Sequence, residues 1–270
     1  MTVEVMPDVL SEAETDQLRM AIRRLEGNSF ASRATNLFGR QVDAAGRALP
    51  APARKIVARA AEGALRAALR VAIRTIDMKS QPKSARGAHK ALAAVSGAAG
   101  GAFGLAALPV ELPVSTTIML RSIAQIAREE GEDLRQPEAA LACIEVFGLG
   151  GRQPGEAAIE GGYFAIRAVL AKTVSESARF IVQRGLADET APVLVRLVAQ
   201  IAARFGLIVS QKLAAQAIPV IGAFGGAAVN LAFTEHFQTI ARGHFTVRRL
   251  ERAYGAEAVR FDYERLRNEK

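Results

Sequence analysis

Two stretches of this chain, Ala91 to Val110 and Leu213 to Thr234, carry no charged residue and consist mostly of Gly, Ala and medium-sized apolar side chains. A charge-free run of about 20 residues is stable only when other apolar groups surround it, whether protein or lipid. Both stretches contain Gly-Ala-Phe-Gly, at Gly101 to Gly104 and again at Gly222 to Gly225, and both place small residues four apart, as in Gly97 with Gly101, Gly100 with Gly104, and Gly222 with Gly226. Glycine inside a helix costs about 1 kcal/mol relative to alanine, and close approach of helix backbones is the usual compensating gain. Gly97, Gly101, Gly104, Gly222 and Gly226 are therefore the expected helix-packing positions.

Half of the 270 residues are apolar, yet aromatics make up only 6% and Trp is absent, so the core must be tiled with Ala, Leu, Val and Ile. Alternating Val, Thr, Tyr and Phe of the kind that forms strands is missing almost everywhere. The expectation is a compact all-α bundle of about seven to nine helices, given ordinary helix lengths, with the two Gly/Ala-rich segments at its centre.

Breaks in the pattern divide the chain. Ser11 with Glu14 has capping-box spacing and opens a first, solvated helix that runs to about Leu25. Pro50 and Pro52 separate an N-terminal extension, residues 1–51, from a long helix over Ala53 to about Met78. On that helix Lys55, Arg59, Arg66, Arg70 and Arg74 flank an apolar stripe, as at the surface of an anionic membrane or on an ordinary solvated face. Pro109 and Pro113 are expected to break or bend the chain before a helix over Val114 to Glu130. Helices follow over Glu138 to Leu149, about Glu156 to Arg184, and Val193 to Ala217. Ile218-Pro219 precedes the second glycine-rich segment, which runs into a basic final helix and a charged tail, residues 256–270.

The formal net charge is +8. Its basic residues are not interleaved with aromatics as a base-stacking surface requires, and no nucleic-acid-binding signature is present, so nucleic acid is excluded as the expected partner in favour of anionic lipid or an acidic protein. The single cysteine, Cys143, sits among apolar residues as a small hydrophobe. No basic-then-apolar leader opens the chain, so the expected place is the cytoplasm or the cytoplasmic face of a membrane. Prolines and the high Gly and Ala content of the uncharged stretches favour partial insertion or burial in protein over full membrane spans.

Glu145 is the carboxylate with the strongest claim to a special environment, because no other charge lies between Ala139 and Leu149. A buried charge requires a partner. Arg121, between apolar neighbours, is the expected one. Glu235, His236, Arg242 and His244 gather on the final helix and complete a candidate polar site. His236 and His244 stand about 12 Å apart on a straight helix, too far to share a metal. No nucleophile elbow, phosphate loop or cofactor motif is present, so neither a cofactor nor a catalytic residue is assigned.

Several long motifs resemble the EcsC family of bacterial proteins. They are Gly-Leu-Ala-Ala-Leu-Pro-Val-Glu-Leu-Pro-Val-Ser-Thr-Thr-Ile-Met-Leu-Arg-Ser-Ile-Ala from Gly104, Gly-Glu-Asp-Leu at Gly131, and Leu-Ala-Cys-Ile-Glu-Val-Phe at Leu141. Ile-Pro-Val-Ile-Gly-Ala-Phe-Gly-Gly-Ala-Ala-Val-Asn from Ile218 belongs with them, as do Phe-Thr-Glu-His-Phe-Gln and Ala-Arg-Gly-His-Phe-Thr-Val-Arg-Arg-Leu-Glu further on. The resemblance covers roughly residues 52–255. It implies a membrane-linked accessory role by genetic neighbourhood, since the family takes its name from a protein encoded beside an ABC transporter, and it brings no catalytic residues. The expected function is thus a non-enzymatic accessory protein at the cytoplasmic face of the inner membrane, peripheral or partly inserted, with a transporter as a possible partner. A soluble enzyme or small-ligand protein built around Glu145 and the final helix is the alternative.

Overall fold

Ser11 opens helix α1 (Glu12–Glu26): its hydroxyl accepts from the Glu14 amide at 3.3 Å while the Glu14 carboxylate accepts from the Ser11 amide at 3.1 Å. Two of the four orphan amides at the helix start are satisfied in this reciprocal way. The computed structural model describes residues 10–27, 30, 50–77, 107–151, 162–184, 191–216 and 222–269. Leu18, Ala21, Ile22 and Leu25 recur at helical spacing and are buried, so α1 is not the solvated helix its polar surface suggested.

Helix α2 (Ala51–Asp77) buries Val57, Ala61, Ala64, Leu65, Ala68 and Leu69 along one face. Helix α3 (Leu108–Glu129) begins earlier than its prolines suggested. Pro109 lies in the first turn, where an amide has no helical partner, so only Pro113 removes a hydrogen bond from the interior and the chain need not break. Gly131, at a φ of 81°, turns the chain after α3 towards helix α4 (Pro137–Leu149).

Helix α5 (Gly162–Arg184) starts on a glycine at a φ of 44°. The Glu26 carboxylate accepts from the Tyr163 amide at 2.8 Å, so the end of α1 supplies the anion that the start of α5 favours. A Cβ on Gly162 would lie 2.3 Å from that carboxylate, a second reason for glycine there. Helix α6 (Pro192–Gln216) is followed by α7 (Gly222–Tyr254), which at 33 residues is about 50 Å long. Gly255, at a φ of 86°, turns the chain into α8 (Ala256–Asn268). The charged C-terminal segment is therefore a docked helix, with Val259, Tyr263 and Leu266 buried.

The eight described helices pack around α4, which touches α2, α3, α5, α6 and α7. Every residue of α4 from Ala139 to Leu149 is buried. Helices α1 and α8 lie against α7 on the outside of this arrangement. Where the first half of α7 meets α4 and α6, Phe147, Phe205, Phe233 and Phe237 pack edge-on or tilted, with ring centroids 5.1 to 6.1 Å apart.

Of the glycines expected to bring helices together, Gly97, Gly101 and Gly104 lie outside the described residues. Gly222 and Gly226 fall within the first turns of α7, and their contacts also lie outside the described residues. Close approach is instead visible further along α7, at Gly243, where a Cβ would stand 2.7 Å from the Leu25 Cγ and 3.2 Å from the Ala21 carbonyl oxygen. Neither atom is the free end of a flexible chain, so Gly243→Ala should push α1 off α7 and lower stability by about 1 to 3 kcal/mol. Urea denaturation measures it, and an unchanged midpoint would show that the α1–α7 contact yields freely.

Candidate functional site

On α7, His244, Arg248 and Glu251 follow one another at helical spacing and face the start of α5, where Tyr163 and Arg167 are one turn apart. Tyr163 shares a 2.8 Å hydrogen bond between its hydroxyl and His244 Nδ1. Arg167 clamps Glu251 through two parallel bonds of 2.6 and 2.7 Å. Arg248 reaches in the other direction to Glu132, at 2.8 and 3.2 Å, and Arg252 joins the same carboxylate. Burial alone would raise the Glu132 carboxyl, but the hydrogen bonds and charges of the two arginines outweigh it and hold it below the ordinary range. Arg249 extends this seam by linking Glu130 at 2.8 Å and Gln17 at 2.6 Å.

Glu145, on the enclosed helix α4, lies within the electrostatic reach of this seam. The residue is 3% exposed, and Oε1 of its carboxyl has no hydrogen-bond partner. Burial pushes it up to about 7, opposed by the charges of Arg167 and Arg248, which are themselves answered by Glu251 and Glu132. His244 is fully buried with Nε2 unpartnered, and burial, aided by Arg167 and Arg248, drives it well below the usual histidine value, so its imidazole is neutral. This cluster can hold a proton on Glu145 near neutrality. It offers no exposed nucleophile.

The expected partnership of Glu145 with Arg121 does not form. Arg121 is on the exposed side of α3, whereas the cations acting on Glu145 come from α5 and α7. Glu235 and Arg242 are likewise exposed, because they occupy the face of α7 opposite its buried histidines. His236 is buried, and its Nε2 lies 3.0 Å from the Gly150 carbonyl oxygen, which can only accept, so that nitrogen carries the proton. The structure thus brings Glu145 and His244 into one polar region, seats His236 at the end of α4, and leaves Arg121, Glu235 and Arg242 on the surface. Cys143 is buried, its Sγ 3.5 Å from the Ala139 carbonyl oxygen, and burial pushes the thiol up to about 12.

Among the described residues no three His, Cys, Asp or Glu side chains gather as metal ligands would. An open surface groove of about 370 Å³ lies where α5 meets α6, lined by Glu176, Arg179, Phe180, Gln183, Val193 and Arg196. It shares no residue with the buried seam. The five basic positions of α2, Lys55, Arg59, Arg66, Arg70 and Arg74, are all exposed, as is Arg54.

A second buried ion pair crosses the other end of the bundle. Lys212 Nζ on α6 donates to Glu111 Oε1 on α3 at 2.7 Å, with side-chain exposures of 0% and 7%. The ammonium also sits 4.9 Å above the ring centroid of Phe233 on α7. Burial pushes Lys212 down, and the contact with Glu111 opposes that shift.

An all-α bundle with an enclosed central helix, ionic seams inside it and a basic outer face defines the class of protein. The sequence model of the EcsC protein family matches residues 15–250, and the chain belongs to that family. The match takes in most of α1 and the helices after it as far as Leu250 near the end of α7, and leaves out α8. No curated protein and no solved structure matches the chain.

Two outcomes test the buried charges. Lys212→Met alone should cost about 3 to 5 kcal/mol, because Glu111 is left charged and enclosed, while Lys212→Met with Glu111→Met should recover most of the loss. Additive losses in denaturant titrations would mean that the two side chains do not depend on each other. For Glu145 the folded carboxyl titrates near 7 and the unfolded one near 4.3, so the folded state holds the extra proton between these values. The stability this contributes is present in full below about 4 and is lost as pH rises to about 7. Glu145→Gln cannot ionise, so its stability relative to the parent should rise by up to about 3 kcal/mol between pH 5 and pH 8. The difference cancels the opposite trend from His244, and parallel pH profiles would remove Glu145 as a titrating group.

Proposed function

We propose that this EcsC-family protein is a non-enzymatic accessory protein that binds the anionic cytoplasmic surface of a bacterial inner membrane. The observation that supports it most directly is α2. Arg54, Lys55, Arg59, Arg66, Arg70 and Arg74 are exposed along about 30 Å of helix, and Glu62, which bonds Arg66, is the one carboxylate among them. Each basic residue near an anionic membrane surface contributes about 1 kcal/mol. Among the side chains described on α2, Ile56 is the one large hydrophobic that is exposed, and the helix sequence holds no aromatic beside the basic residues, so the face fits phosphate headgroups better than stacked bases. Helix α6 is long and apolar enough to cross a membrane by length and composition, but half of its apolar window is buried inside the bundle. Attachment at the surface suits this arrangement better than a span. A link to a transporter belongs to the same proposal and comes from the family resemblance alone.

Flotation with vesicles tests it. The protein should float with vesicles of phosphatidylglycerol and phosphatidylcholine and remain behind with phosphatidylcholine alone. Binding should fall as salt rises from about 0.1 M to about 1 M, where the screening length shrinks from about 10 Å to about 3 Å. Reversing Arg66, Arg70 and Arg74 to Glu should weaken binding on the order of 100-fold or more. Failure to float at low salt would end this reading.

A further inference from the structure

Residues 91–120 contain a single charge, Glu111, and residues 205–234 contain a single charge, Lys212. The fold brings these two charges together at 2.7 Å and buries both, so two long stretches of chain cancel their only charges against each other. The contact also fixes an end of the bundle. Glu111 is in the first turn of α3, Lys212 in the last turns of α6, and Phe233 above the ammonium is in the first half of α7. The start of α3, the end of α6 and the start of α7 therefore share one tip.

Among the described residues at the start of α3 and in the first half of α7 above Glu235, the exposed side chains are apolar. Val110 is 74% exposed, Val114 44% and Leu231 60%, with Ala227 and Ala228 exposed beside Leu231. Further down the same outer faces charges return, at Arg121 on α3 and at Glu235 and Arg242 on α7. Each outer face thus passes from aliphatic to charged along its helix. In sequence, residues 91–107 just before α3 and residues 217–221 between α6 and α7 carry no charge.

We infer that this tip, formed by Val110 and Val114 of α3 and Ala228 and Leu231 of α7, is the part of the protein that enters the apolar edge of a lipid bilayer. The inference rests on the membrane-surface reading above and adds to it the end that penetrates. A water-facing surface has no need to neutralise the single charges of these two stretches internally, whereas either charge left open here would oppose insertion. The aliphatic residues supply the buried area, and the basic face of α2 supplies the attraction that brings the protein to the surface.

The test uses an environment-sensitive fluorophore on single introduced cysteines in the full chain. Cys143 is buried with its thiol pushed up to about 12, so the label goes to the new site. Val114→Cys and Leu231→Cys report on the tip. Val182→Cys, near the end of α5, and Phe261→Cys, on α8, are exposed controls at the opposite end, since the end of α5 leads into the start of α6 and α8 follows the end of α7. With vesicles of phosphatidylglycerol and phosphatidylcholine, the two tip labels should brighten several-fold, shift to the blue and be quenched by nitroxides on the acyl chains, while the controls stay in water. Leu231→Glu, at an exposed position the fold tolerates, should lose at least about tenfold in partitioning. Floating protein whose tip labels stay in water would overturn the inference and leave the membrane reading standing. Protein that does not float overturns both. Tip labels already shielded without vesicles, with a dimeric mass by light scattering, would assign the tip to a second copy of the chain and overturn it as well.

Discussion

The burial of α4 from Ala139 onward is the constraint on which the arrangement depends. A helix whose residues from Ala139 to Leu149 are all enclosed has no outer face, so neighbours must cover it from every side. Helices α2, α3, α5, α6 and α7 do so. The length of α7 follows from the same requirement. Its first half seals α4 with Phe233 and Phe237, and its second half receives α1 and α8, which could not reach the central helix themselves.

Enclosing α4 also decides where charge can lie inside the molecule. Glu145 has no route to solvent, and its nearest cations, Arg167 and Arg248, already serve Glu251 and Glu132. A carboxylate placed beside two occupied arginines gains less from them than burial costs it, which is why it keeps its proton towards neutrality. The ionic seam does not act as a counter-ion reserve for Glu145. It ties α7 to α5 on one side and to the turn after α3 on the other, joining parts of the chain more than 80 residues apart.

How much of this could be read beforehand depended on whether the signal was local. Helical class, the boundaries around α4, the burial of Cys143 and the isolation of Glu145 follow from composition and from spacing within one helix. The partner of Glu145 did not, because Arg121 is isolated only along the chain: its apolar neighbours at Met119, Leu120 and Ile123 are on the buried side of α3 while it faces outward. The Tyr163–His244 and Arg167–Glu251 contacts join residues 81 and 84 positions apart, and nothing local announces them. The solvated reading of α1 failed because a four-residue apolar stripe suffices to dock a helix whose other residues are mostly charged or polar. One long-range pair did leave a trace. Glu111 ends the first uncharged run and Lys212 precedes the second, and charges isolated in this way are strong candidates to meet.

That pair also bears on how helices rich in small side chains settle into one register. Apolar contact is non-directional, so on its own it discriminates among helix registers less sharply than a buried charge pair does. The Lys212–Glu111 contact removes the degeneracy. Helices α6 and α3 both pack on α2 and α7, and only one placement of the two brings the ammonium to 2.7 Å from the carboxylate and sets it over the ring of Phe233 on α7. Every other alignment strands two charges in an apolar end of the bundle, which costs more than the pair itself contributes. The pair therefore adds little to overall stability but excludes competing arrangements of three helices, and it keeps both Glu111 and Lys212 out of the exposed surface.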